Sequence, residues 1–591
     1  MGSAKNLGYG LGGAIAMVGM SAMISPAQAE SLFLAYPPKE HQTTAEQIFF
    51  IGTASPQEKV SINGKEIQRS PAGHFAPSFP LRLGDNDFVV RSVGEEIRVR
   101  VTRQSDRPVI PTGANFAKDS LTPARDIARL PEEPICFSAI APPNARVIVK
   151  VGDLELPLTP QMPIAQLPPN SAVLTSQNQP RSTTATRYQG CVTSDRPGNF
   201  GIPEFQVSLN GATHTQPGTG AIAVLSPREL DVIEVTASEG VARTGPGTDY
   251  SRLTPLPRGT RASIIGREGE WLRLDYGAWI KESETRLIPG SIPPQSNIRS
   301  ISSHQGQGET EIVFPLEIPV PVSVKQEDGI FTLTLYNTIA QTDTIWIDDD
   351  PLIKRLDWQQ ITPTQLEYQF VLKTQQQWGF ALRYEGTSLI LTLRHPPKVS
   401  GRSGESLQGM RILLDPGHGG TELGARGPNG YPEKAVNLQV SQRLKAELEG
   451  RGATVYMTRE SDVELGLRER MDAIANLKPD LAFSVHYNAL PDSGDAVNTA
   501  GVGMFWYHPQ AQDLAVFLHN YLVENLERPS YGVFWNNLAL TRPHAAPAIL
   551  LELGFMINPT EFEWIVSPQE QEKLVRAIAD GIADWLQKVS Q

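Results

Sequence analysis

Residues 415–420 read Asp-Pro-Gly-His-Gly-Gly, directly after the apolar run 412–414. A histidine on a glycine-rich turn at the end of a strand is placed to do something. Three further polar residues, Glu433, His486 and Glu552, take matching positions downstream. Two imidazoles and two carboxylates are what a hydrolytic zinc site needs. Zinc accepts neutral imidazole and carboxylate, and a catalytic site keeps three protein ligands and one position for water. His418, Glu433 and His486 supply the ligands. A bound zinc ion would lower the pKa of its water towards about 7 and polarise a carbonyl. Glu552 is then the general base, taking a proton from that water and returning it to the leaving amine. Leu551 and Leu553 flank it, so desolvation is expected to raise its pKa.

These groups need elements to position them. From Met410 onward, strand-like runs at 412–414, 454–457, 481–485, 503–507 and 548–551 alternate with helix-period segments. Val436, Val440, Leu444 and Leu448 repeat at four-residue spacing and are followed by Gly450 and Gly452. Leu574, Ile578, Ile582, Trp585 and Leu586 make a second such stripe. The alternation predicts an α/β domain with a mostly parallel sheet covered on both faces. In such sheets ligands bind beyond the carboxyl ends of the strands. His418 follows the first run, His486 ends the third, Glu552 ends the last, and Glu433 opens the first helix. Taken singly each has an ordinary reading; Glu433, for example, is a first-turn glutamate favoured by the helix dipole. The weight lies in four positions agreeing.

The chain has 591 residues, enough for about four or five domains. Its hydrophobic content of 40% is that of a folded protein, and its net charge of −12 argues against a nucleic-acid partner. At the N-terminus Lys5, an apolar stretch at 11–24 and Ala27-Gln28-Ala29 read as a secretory signal over residues 1–29. The alternative is an uncleaved anchor, but the stretch is shorter than the roughly 20 residues a membrane span needs. No other segment reads as a span, so an exported, periplasmic or wall-associated protein with no stable membrane insertion is expected. The two cysteines, Cys136 and Cys191, point to a disulfide in an exported chain, the alternative being two buried thiols.

Upstream, residues 30–103 read as a β-rich module similar to a bacterial immunoglobulin-like domain, with Asn63-Gly64 as a hairpin turn. Residues 104–133 are rich in Pro, Arg, Asp and Thr and read as a linker. A second β-rich module covers 134–226, with a polar stretch at 168–186 expected to be a mobile loop. Residues 229–287 resemble a bacterial SH3-like domain, with Trp271 and Trp279 more naturally packing a small barrel than meeting a ligand. Residues 288–309 read as another linker, 310–397 are similar to the amidase N-terminal (AMIN) module, and 398–409 read as a hinge.

Residues 410–591 resemble the zinc-dependent N-acetylmuramoyl-L-alanine amidase family. Gly417-His418-Gly419-Gly420, Gly424-Ala425, Gly430 and Glu433-Lys434 match its first block. Thr458-Arg459, Asp462, Leu467, Arg470 and Ala475-Asn476 follow its middle pattern. Residues 484–489 match the second histidine block, and residues 547–555 with Asn558-Pro559 match the block carrying the glutamate. The resemblance implies a peptidoglycan hydrolase that cuts the amide between N-acetylmuramic acid and the L-alanine of the stem peptide. It departs from the family at Glu422-Leu423, where Asp-Pro is usual. The stretch 488–501 leaves no room for an inserted inhibitory helix, so either constitutive activity or control through upstream modules or a regulatory protein is expected. Arg542 and Asn537, near the last strand, have two readings, substrate contact and the favoured surface or loop-packing role; His508, His519 and His544 read as structural or exposed. The rival readings are a non-catalytic wall-binding or amidase-regulating protein, and a zinc peptidase acting within the stem peptide.

Overall fold

A computed structural model describes residues 32–105, 110–162, 165–182, 186–398 and 406–590. The expected signal segment, and residues 399–405 of the expected hinge, lie outside these residues.

The C-terminal domain is built on one six-stranded sheet. Its elements are β1 (Arg411–Pro416), α1 (Glu433–Gly450), β2 (Thr454–Met457), α2 (Leu467–Leu477), β3 (Leu481–Asn488), β4 (Val502–Trp506), α3 (Gln512–Asn525), β5 (Ser530–Trp535), β6 (Ala548–Phe555), α4 (Pro559–Ile565) and α5 (Pro568–Val589). The strand order is β2-β1-β3-β6-β4-β5. Four of the five pairings are parallel, and β4 against β6 is antiparallel. The sheet is therefore mixed. The edge strand β5 escapes the sequence pattern because its six residues, Ser-Tyr-Gly-Val-Phe-Trp, show no two-residue alternation and none of them is buried.

One face of the sheet is covered by α1, α3 and α5. Val436, Val440, Leu444 and Leu448 of α1 are all fully buried, as are Leu574, Ile578, Ile582 and Trp585 of α5. Each aliphatic side chain so buried contributes about 1.5–3 kcal/mol. Pro432 precedes α1 with extended dihedrals, so the helix cannot begin before Glu433. Ser567 caps α5, with Pro568 at its first turn. The other face carries a smaller cluster of Leu413, Ile474, Ala482, Leu540 and Ala548, with α2 over it.

All the other described units are β. In the first, sheets of three and five strands enclose Phe50, Phe75, Phe88, Val90 and Val101; Asn63 and Gly64, both at positive φ, turn its short hairpin. The second is a six-stranded antiparallel sheet in which Cys136 and Cys191 are cross-strand partners joined by a disulfide. Trp271 and Trp279 are buried in the small β unit that follows. In the fourth unit a five-stranded and a four-stranded sheet face each other across Phe314, Phe331, Tyr368 and Leu391.

Three expectations need correcting. Residues 116–129 of the first supposed linker belong to folded units. Phe116 and Leu121 are buried in the second unit, and Ile127–Arg129 pairs with Arg261–Glu268 of the third. Three apolar anchors suffice, although the polar composition around them reads as linker. The second supposed linker contains a ten-residue strand, Ser296–Gln305, paired on both sides. Its apolar residues Ile298 and Ile301 are three apart, and a register shift between them lets both enter the core. Such an irregularity erases the two-residue period by which a strand is recognised. Finally, residues 170–175, expected to lie in a free loop, form a short 3-10 turn tied to the C-terminal domain by a hydrogen bond from the Tyr531 hydroxyl to Leu174 O.

Candidate metal centre and active site

β1 and β3 are parallel neighbours, as are β3 and β6, so their carboxyl ends form one rim. His486 and Glu552 are register partners across β3 and β6. His418 stands on the turn after β1 at φ +61°, in the left-handed region that few non-glycine residues occupy. Backbone strain of this kind persists where the surroundings over-determine it, and it concentrates at functional sites. Glu433 opens α1 and points back to the rim.

One donor atom from each of His418, Glu433 and His486 lies within 4.8 Å of the others. His418 Nε2 is 3.2 Å from Glu433 Oε2, and His486 Nδ1 is 3.0 Å from Glu433 Oε1. The carboxylate is anchored by backbone N–H donors of Ala425 (2.8 Å) and Tyr487 (3.1 Å) and by Asn437 Nδ2 (3.1 Å). Burial pushes Glu433 up, but hydrogen bonds and charge from the two imidazoles outweigh it and hold the group far below the usual carboxylate range. For His418, burial acts downward and is outweighed by Glu433 and Glu422, so its pKa is raised. Two imidazoles, once neutral, around a buried carboxylate form a set that can close on a divalent cation.

The glycines of the motif have a steric purpose. A Cβ at Gly424 would sit 2.4 Å from Glu433 Oε2 and 2.6 Å from His418 Cδ2, and one at Gly417 would sit 2.2 Å from the His486 ring. Side chains there would fill the space in which the three donors meet.

Glu552 completes the rim without joining the donor cluster. Its Oε2 is buried and has no hydrogen-bond partner among the described residues. Burial, and secondarily the charge of Glu433, raise its pKa well above the ordinary value. An unpartnered buried carboxyl oxygen needs a reason; a water or substrate proton in front of it would be one.

Sequence reasoning assigned no role to the support beneath the histidine turn. Asp415 accepts from Arg470 Nη1 at 2.7 Å and from Ser484 Oγ at 2.6 Å, and the Arg470 and Asp415 side chains are each 3% exposed. Arg470 Nη2 also donates to His418 O at 2.7 Å, and Arg459 Nη2 to Gly417 O at 2.9 Å. These guanidiniums hold the turn by its carbonyls. Glu422, at the position that departs from the family pattern, lies 3.1 Å from His418 Nδ1 and so can orient the ring. A buried Asp next to a motif was the available signal for the first; nothing local marks Asn437 or Glu422.

His508 and His544 are far from this chemistry. Burial drives their pKa values down to about 3 and about 4. Arg542 is bonded to Asn537 through Nε–H to Oδ1 at 2.8 Å.

Residues 412–584 match the profile of the N-acetylmuramoyl-L-alanine amidase family. A probable cell wall amidase of Staphylococcus aureus, LytH, is 36% identical over 178 residues, which are 30% of this chain and 58% of the relative. The match thus spans a little over half of that relative's length. Among solved structures, an N-acetylmuramoyl-L-alanine amidase from Clostridium difficile 630 is 26% identical, covering 30% of this chain and 96% of that one with a TM-score of 0.29. The amidase AmiC2 of Nostoc punctiforme is 29% identical, covering 30% and 96% with a TM-score of 0.28. Over residues 412–584, the last third of this chain is therefore similar to the N-acetylmuramoyl-L-alanine amidase family.

Proposed function

We propose that the protein is a zinc-dependent peptidoglycan amidase, cutting the bond between the lactyl group of N-acetylmuramic acid and the L-alanine of the stem peptide. The observation that carries this is the meeting of His418, Glu433 and His486 donor atoms within 4.8 Å, on the rim that also bears the buried Glu552. The donor set fits zinc in kind and number, with one position left for water. When bound there, zinc supplies Lewis acidity to the scissile carbonyl and acidity to water. The residues do the rest. Glu433 and the two imidazoles fix the reacting centre, with Asn437, the Ala425 amide and Glu422 holding their orientation. Glu552 accepts a proton from the attacking water at its free Oε2. It then delivers that proton to the alanine nitrogen as the amide C–N bond breaks. Its burial suits this work, because a carboxylate with a raised pKa is a stronger base and a usable acid near neutrality.

The β units are read as an immunoglobulin-like module, a second β module, an SH3-like barrel and an AMIN-like unit that hold the enzyme on the wall. The site of action follows from the substrate: outside the cytoplasmic membrane, periplasmic or wall-associated. No helix among the described residues is long and apolar enough to cross a membrane.

Digestion of purified sacculi tests this. The expected products are free stem peptides beginning with L-alanine and intact glycan with free lactyl carboxylates. Products cut inside the peptide would identify a peptidase instead, and no release would identify a binding protein. Exhaustive chelation is expected to abolish release and added zinc to restore it.

A further inference from the structure

A cavity of about 1150 Å³ lies where the small third β unit, the fourth β unit and the C-terminal domain meet. None of His418, Glu433, His486 and Glu552 lines it. Gly503 of β4 faces Glu552, and β4 runs antiparallel to β6. Tyr507, which lines the cavity, therefore stands roughly 13 Å further along the strands, towards the opposite end of the sheet. The cavity is a place apart from the metal centre.

Its walls combine two features. The first is a pair of guanidiniums with no anion. Arg252, from the third β unit, makes no side-chain hydrogen bond or ion pair with the described residues, and Arg542 is bonded only to Asn537 and, weakly, to Met471 Sδ. Burial first, and then the charge of Arg252, lower the pKa of Arg542 to about 10. Glu284 acts on Arg252 from a distance while accepting from the Val241 amide at 2.6 Å. Of the acids in the wall, Asp472 pairs with Arg468 at 2.9 Å, and burial raises the pKa of Glu239. Two half-buried like charges facing one cavity repel. A carboxylate between them replaces repulsion by charge-assisted hydrogen bonds. The second feature is an aromatic platform. Trp535 is 59% exposed, yet its Nε1–H donates to Tyr507 O at 2.9 Å and its ring lies 5.2 Å from that of Tyr507. A fixed, exposed indole presents a flat apolar face, which matches the C–H face of a sugar ring.

We propose that this cavity is a second binding site, for a carboxylate-bearing glycan, with a sugar ring against Trp535 and Tyr507 and its carboxylate between Arg252 and Arg542. The ligand rests on the amidase reading. Hydrolysis of the lactyl amide frees one carboxylate on each muramic acid, so the product strand carries a carboxylate directly on its sugars, where the uncut strand carries an amide. The site retains the enzyme on strands it has already stripped.

The test uses the full chain carrying Glu552→Gln, with three chemically prepared probes: peptide-free glycan strands, the same strands with their lactyl carboxylates amidated, and free stem peptide. Calorimetry is expected to show binding of the first, at least about tenfold weaker binding of the second (about 1.4 kcal/mol), and weakening with salt. Arg542→Gln and Trp535→Ala, each added singly, are expected to weaken binding of the peptide-free strands about tenfold while leaving the melting temperature unchanged. Equal affinity for amidated strands, preference for the peptide, no binding, or indifference to both substitutions would each overturn the proposal. Failure of the amidase reading would appear separately, as a wild-type chain that releases no stem peptide from sacculi.

Discussion

Glu552 and Glu433 are both buried acids on one rim, and their surroundings drive them in opposite directions. Glu433 is ringed by donors and held ionised; Glu552 has an oxygen with no donor and is pushed towards protonation. That division is what the proposed roles of ligand and base require. Glu552→Ala is therefore expected to keep bound zinc, measured by metal analysis, and to lose about 10²–10⁴-fold in the rate of stem-peptide release. Near wild-type digestion by that variant would remove Glu552 from the mechanism. Arg470 makes a different prediction. Its ion pair with Asp415 is almost wholly buried. Arg470→Ala leaves a buried charge with fewer partners and is expected to destabilise the domain by about 3–5 kcal/mol in denaturant unfolding. The four residues of the candidate site were legible because each lies at or near a boundary that period reveals: His418 just after β1, Glu433 at the start of α1, and His486 and Glu552 in the carboxyl-terminal halves of β3 and β6. Asn437 and Glu422 were not, since their roles exist only once the α1 helix and the 418–424 turn are folded against each other.

At the scale of elements, α1 carries both structure and chemistry. Its buried stripe fixes the helix on the sheet, and that placement aims Glu433 at the rim. Leu444 is fully buried in the stripe. Leu444→Ala is expected to cost about 2–5 kcal/mol through lost burial and a residual cavity, read as a lowered midpoint in urea. Helices of this kind announce themselves in the sequence, as α1 and α5 did, because a 3.6-residue period survives over many turns. Short or irregular strands do not. Ser296–Gln305 hid behind a register shift, and β5 behind a run in which no residue is buried.

At the scale of the whole molecule, the first β unit is docked on the amidase domain. Phe49, Ile51 and Ala76 share a buried cluster with Ala496, Phe555 and Ile557. Beside it, Asp492 of the 488–501 stretch accepts a hydrogen bond from the Tyr36 hydroxyl and lies 2.9 Å from His41 Nε2. Burial pushes Asp492 up, but the hydrogen bonds of Thr43, Tyr36 and His41 outweigh it and set its pKa below the ordinary 3.8. A carboxylate with a depressed folded-state pKa contributes stability that is complete above 3.8 and is lost as pH falls through the lower, folded value. Limited proteolysis across that range is expected to show the first unit loosening at acid pH in the wild type. Asp492→Asn is expected to loosen it already at neutral pH and to flatten the pH dependence; an unchanged profile would mean the apolar cluster alone holds the interface.

The sequence by itself determined which residue types stand near the ends of which elements, and so which donors could meet on one rim. Local period and turn composition carry that information, because they depend on residues close together in the chain. Only the tertiary structure decided that polar segments of the supposed linkers belong to cores, that a β unit sits against the 488–501 stretch, and that Arg252 and Arg542 share a cavity. Those outcomes depend on contacts between residues separated in the chain, from Ser296 with Thr338 to Phe49 with Phe555, and no local pattern encodes which distant surface will bury a given side chain.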